Sequence, residues 1–140
     1  MKKAVFALAL ALPLASCSLT PDYILVNGTG QDVQAGVWTH SIFQHRRTVR
    51  AGETSAPIPA NDRQSFRAGD CTYSYPDINF HDLPVDRTGR PTGGGTTVYK
   101  LQLEPDFSLR FFPMKHDGTV QPELTGPGFP ALPQVECRAG

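Results

Sequence analysis

Beyond residue 20 the sequence lacks the runs of Ala, Leu, Glu and Lys that build long helices, which excludes a fold resting on them. It has no excess of charge, with 13 Lys and Arg against 13 Asp and Glu. That balance gives no footing for nucleic acid, whose phosphates demand a basic surface. Cysteine is scarce: three residues, none in a Cys-x-x-Cys pair, so the usual spacing for zinc or for a redox couple is missing. Also missing are a Gly-x-Ser-x-Gly elbow, a His-Glu-x-x-His helix, a Ser-x-x-Lys pair and a phosphate loop with its lysine. Gly93-Gly94-Gly95 has no lysine after it and no strand-to-helix setting, and reads as a flexible loop. An enzyme is therefore not expected, nor is a cofactor or a metal.

The most informative stretch that is present lies at the start. Lys2-Lys3 is followed by an apolar run from Ala4 to Leu12, then Pro13 and Leu14-Ala15-Ser16-Cys17. A basic n-region, an apolar h-region and small residues before a cut make a secretory signal peptide. The run is too short to span a hydrocarbon core, which takes about 20 residues. Leu14-Ala15-Ser16-Cys17 resembles the lipobox of bacterial lipoproteins. The resemblance implies removal of residues 1–16, diacylglycerol on the Cys17 thiol, and acylation of the freed amino group. Two or three chains would hold the protein on a membrane permanently, since each buried methylene contributes about 0.8 kcal/mol. Ser18 in place of Asp after the cysteine implies sorting to the outer membrane of a Gram-negative envelope. Residues 17–22 then form a lipidated tether ahead of one domain at 23–140. Without Lys2 and Lys3, 11 basic side chains face 13 acidic ones, a formal charge of −2.

With Cys17 assigned to lipid, Cys71 and Cys137 remain as a pair, and an oxidising compartment favours a disulfide between them. Such a bridge would pin a tail with little capacity to form a core.

Pro and Gly, 13 of each, punctuate short runs of Tyr, Phe, Val, Ile and Thr, the pattern of strands and turns. Tyr23–Val26 is an apolar run stopped by Asn27-Gly28, a hairpin signal that would pair it with Asp32–Thr39. Ser55–Ile58 reads as a brief strand, with Pro57, Pro59 and Asp62 marking an irregular or edge region. In Cys71–Tyr75 bulky and hydroxyl residues alternate, placing Cys71, Tyr73 and Tyr75 on one face. Thr97–Leu103, a turn at Glu104-Pro105-Asp106 and Phe107–Phe111 form an antiparallel hairpin with one apolar face. The Asp82–Gly95 loop is long and exposed, Asp117-Gly118 is a turn, and Gln121–Pro133 is an extended Pro-rich tail. The sum is all-β: a small antiparallel β-sandwich or partly open barrel with long Pro/Gly-rich loops and one disulfide. Val26-Asn27-Gly28-Thr29-Gly30 resembles the first turn of small exported β-sandwich modules. Trp38 precedes both cysteines, which is the wrong order for an immunoglobulin domain.

Two segments carry chemistry. Arg46, Arg47 and Arg50, with Arg63 and Arg67 as further members, could form a patch for an anionic lipid or an acidic envelope protein, because guanidinium binds phosphate and carboxylate bidentately. Asp77, Asn79 and His81, if on a strand, would share a face about 7 Å apart and offer metal ligands or an acid–base pair with Asp82. The expected role is a non-enzymatic binding or envelope-assembly module. The alternatives are an inhibitor or chaperone-like protein acting through residues 82–95, and a small enzyme or metal-binding protein using residues 77–82.

Overall fold

The computed structural model describes residues 21–39, 42–60, 64–79, 82–83 and 97–140. The leader with Leu14–Cys17, the histidine at 81 and most of the 82–95 loop lie outside the described residues. Those described form nine strands and no helix: β1 Asp22–Asn27, β2 Val33–Thr39, β3 Ile42–Val49, β4 Ile58–Pro59, β5 Gln64–Ala68, β6 Cys71–Ser74, β7 Thr97–Leu103, β8 Leu109–Pro113 and β9 Gln134–Cys137. They make a four-stranded sheet in the order β4-β1-β7-β8 and a five-stranded sheet in the order β3-β2-β5-β6-β9. The all-β fold with its Cys71–Cys137 disulfide is the one expected.

The core fills the space between the sheets. Tyr23, Leu25, Tyr99, Leu101, Leu103, Leu109 and Phe111 face inward from the four-stranded sheet; Val33, Ala35 and Phe66 meet them from the other. The period-two pattern of the 97–111 segment is realised as a hairpin, with Leu101 opposite Phe111 and Leu103 opposite Leu109. Aromatic rings lock it edge to face, Tyr99 to Phe111 at 6.4 Å and Phe111 to Phe129 at 5.4 Å. One ladder departs from antiparallel pairing: β1 runs parallel to β7. β4 is short and carries Pro59, which suits the sheet edge it occupies.

The Asn27-Gly28 hairpin does not form, because β1 and β2 belong to different sheets. Asn27 is instead a buried corner post. Its side-chain amide donates to Gln31 O and Val49 O at 2.7 and 2.9 Å, and its Oδ1 accepts from the amide and hydroxyl of Thr29. Gly28 donates to Leu103 O, and a Cβ there would sit 2.7 Å from that oxygen. The glycine permits a close backbone approach; the positive φ of the turn falls on Gly30 at 79°. The pair that reads as a hairpin therefore carries the chain from one sheet to the other.

The C-terminal tail is also more ordered than its prolines imply. Gln121 N donates to Pro113 O, Leu124 N to Phe111 O, and Leu109 and Ala131 exchange both backbone bonds. The tail thus covers the open edge of β8 and then joins the other sheet as β9, a strand that the sequence pattern leaves unmarked. Arg110 fastens it from the outer face with a fork of bonds to Glu123 at 2.9 and 2.6 Å, and a further bond to Glu104. Hydrogen bonds from Arg110 hold the Glu123 carboxyl below its ordinary range.

Candidate functional site

Where the tail crosses between the sheets it leaves a pocket of about 290 Å³. One wall is the turn after β6, with Tyr75, Asp77 and Ile78; the other is Gly128 to Leu132. Tyr75 is buried and donates from its phenol to Phe107 O at 2.6 Å. Burial pushes that phenol well above its ordinary range, so it serves as a protonated donor rather than a base. Ile78, Phe129, Pro130 and Leu132 make the lining apolar, and exposed Asp77 is the one carboxylate in it. Leu132 is 74% exposed, a large apolar side chain presented to solvent at the rim. The walls are rigidly mounted: the tail is laddered to β8, and Cys137 is bonded to Cys71 on β6.

The 77–82 segment is not the strand face that its alternation offers. β6 ends at Ser74, and a turn closed by Ile78 N donating to Tyr75 O follows. Pro76 enforces the break, since it supplies no N–H to a ladder. Asn79 donates from its side chain to the Asp82 carboxylate at 2.9 Å, a local loop contact. Among the described residues no three His, Cys, Asp or Glu side chains converge as metal ligands.

The described arginines of the expected basic patch are spread along the five-stranded sheet. β3 is the edge of the five-stranded sheet, and its pairing skips from Ala35–Arg47 to Gly36–His45, leaving Arg46 as the extra residue of a β-bulge. Arg47 is exposed beside it; the side chain of Arg46 and the whole of Arg63 lie outside the described residues. Arg50 lies beyond the far end of β3, about 13 Å along the chain from Arg46 at roughly 3.3 Å per residue. There it adjoins the Asn27 corner, where Glu53 N donates to its carbonyl. Arg67 crosses the outer face of the sheet to lie 4.6 Å over the Phe43 ring. That ring covers Gly36, where a Cβ would fall 2.5 Å from it and would also strike Gln44 O.

The pocket was out of reach of the sequence because its two walls lie some fifty residues apart. Its only local signal is the Gly-Pro-Gly-Phe-Pro run at 126–130, which reads simply as a loop. Comparison with known protein families, with curated proteins and with solved structures gives no match for this chain.

Proposed function

We propose that this chain is an exported, lipid-anchored and non-enzymatic binding or envelope-assembly module. Acyl chains on Cys17 hold it at a bacterial outer membrane, and the pocket beside Tyr75 receives an apolar side chain of another envelope protein. The order of basic, apolar and Leu14-Ala15-Ser16-Cys17 segments supports the anchoring. The observation that carries the binding role is the pocket's mounting. A concave apolar surface held from both sheets loses little conformational freedom when a partner enters, which favours affinity. Exposed Leu132 at the rim supplies contact area, and Asp77 supplies a polar point of orientation.

The experiment is photo-cross-linking in cells, with a photoreactive residue replacing Leu132 in the full chain. A discrete protein adduct is expected, lost when Asp77→Arg is added and when Cys17→Ala prevents anchoring. An adduct yield no higher than that from the same probe at Thr119, in the exposed turn of the tail, would reject the pocket as the binding site.

A further inference from the structure

Two features sit at one end of the sandwich. β1 begins there: the Tyr23 phenol accepts a 2.7 Å bond from Gln64 Nε2, and Gln64 is the register partner of Val37 near the end of β2. The same Gln64 amide reaches Gly36 O. The other end of β1 lies at the other end of β2 and β3, because Asn27 bonds Val49 O and Val49 pairs with Val33. The start of β1 and the turn between β2 and β3 therefore point the same way. Cys17 lies five residues before Asp22 and can stand no more than about 18 Å from it in a fully extended chain.

The β2–β3 hairpin has an unusual composition. Between Val33 and Arg50 there is no Asp or Glu, while Arg46, Arg47 and Arg50 are basic. At its tip Trp38 pairs with Phe43, and Thr39 pairs with Ile42, which is 65% exposed. His45, Arg46 and Arg47 follow three to five residues behind Ile42, about 10–17 Å along the strand. Apolar and aromatic residues at a tip with cations a headgroup's depth behind match a membrane interface, where aromatic rings sit at headgroup level and basic side chains meet lipid phosphate.

We propose that the β2–β3 hairpin is a second membrane contact, in which exposed Ile42 enters the interface of an anionic phospholipid surface and exposed Arg47, within the basic stretch of β3, engages its phosphates. This rests on the lipid anchor at Cys17, which delivers that end of the sandwich to the membrane and fixes the orientation of the pocket above it. Arg50, at the opposite end, takes no part.

Trp38 is the only tryptophan of the chain and reports on its own surroundings. The lipidated protein is reconstituted into phosphatidylcholine vesicles with or without phosphatidylglycerol, and the Cys17 peptide is weighed by mass spectrometry. With phosphatidylglycerol, Trp38 emission should shift to the blue, brominated lipid should quench it, and acrylamide quenching should fall several-fold. Ile42→Asp and the pair Arg46→Glu with Arg47→Glu should abolish these changes, while Arg50→Glu keeps them; unchanged far-ultraviolet circular dichroism checks that each variant is folded. Equal acrylamide quenching in both vesicles, with acyl mass on Cys17, overturns the hairpin contact and leaves the anchor standing. If Cys17 carries no acyl mass, the anchor fails, and the unacylated full chain is floated with the same vesicles. Phosphatidylglycerol-dependent flotation that the Arg46→Glu, Arg47→Glu pair abolishes would then uphold the hairpin contact, and its absence would overturn it.

Discussion

Tyr73 and Phe107 stack face to face, their ring centroids 3.6 Å apart and their planes 4° from parallel. Tyr73 belongs to β6 of one sheet, and Phe107 to the turn between β7 and β8 of the other. Two residues on, Tyr75 binds the carbonyl of the same Phe107. Phe107 adopts a φ of +62°, a left-handed conformation rare for an aromatic residue, and these two contacts hold it there. Tyr75→Phe is expected to destabilise the fold by about 1–3 kcal/mol, since it strands a buried carbonyl without a donor. Phe107→Gly relieves the backbone yet loses the ring, and should cost about 2–4 kcal/mol in net stability. Denaturant titration of both variants checks the pair.

The Cys71–Cys137 bridge spans 66 positions. Replacing both cysteines by serine should lower stability by about 4 kcal/mol in the chain-entropy account. Limited proteolysis should then cut first within residues 121–137, because β9 and the tail lose their covalent tie to β6.

Gly36→Ala is expected to destabilise by about 1–3 kcal/mol, because the added methyl meets both the Phe43 ring and a backbone oxygen. Removing the ring with Phe43→Ala should not restore stability in that background, since the Gln44 carbonyl remains in the way. Thermal unfolding of the single and double variants tests this.

Two carboxylates should give opposite pH signatures. Arg110 depresses Glu123, so its contribution is complete above the ordinary glutamate range and is lost as pH falls through the lower folded value. Glu123→Gln should therefore flatten the acid side of the stability curve. Burial raises Asp22, so its charge weakens the fold as pH climbs from the ordinary aspartate range through the higher folded value. Asp22→Asn should stabilise at neutral pH, and the gain should vanish in acid. Melting temperatures measured across pH separate the two.

Cys17→Ala should abolish incorporation of labelled fatty acid and leave precursor or soluble protein. Normal labelling of that variant would remove the anchor from the account.

Elements with a two-residue period were legible in the chain. Tyr99, Leu101 and Leu103 opposite Leu109 and Phe111 needed only alternation and a turn, and the disulfide needed only a count of cysteines. Asn27 was misread because its side chain bonds Val49, 22 residues away, and such a bond leaves no local pattern. β9 escaped notice because all four of its residues are exposed, so no buried face imposes a period on it. Of the candidate site, only Asp77 belongs to the 77–82 segment that the sequence marks for chemistry; Tyr75 reads from the sequence as one residue of a strand face. Their placement against Pro130 and Leu132 follows from the tail's bonds to β8, which involve backbone atoms that every residue carries.

That dependence on backbone bonds from late in the chain bears on how the molecule can be assembled. β1 finds its parallel partner some 75 residues downstream, and the guard on β8 arrives only after every other strand but β9. In a chain made from its N-terminus, β2–β3 and β5–β6 can pair at once, whereas β1 waits for β7 and the edge of β8 waits for the tail. The Cys71–Cys137 bridge can close only after β9 has been made.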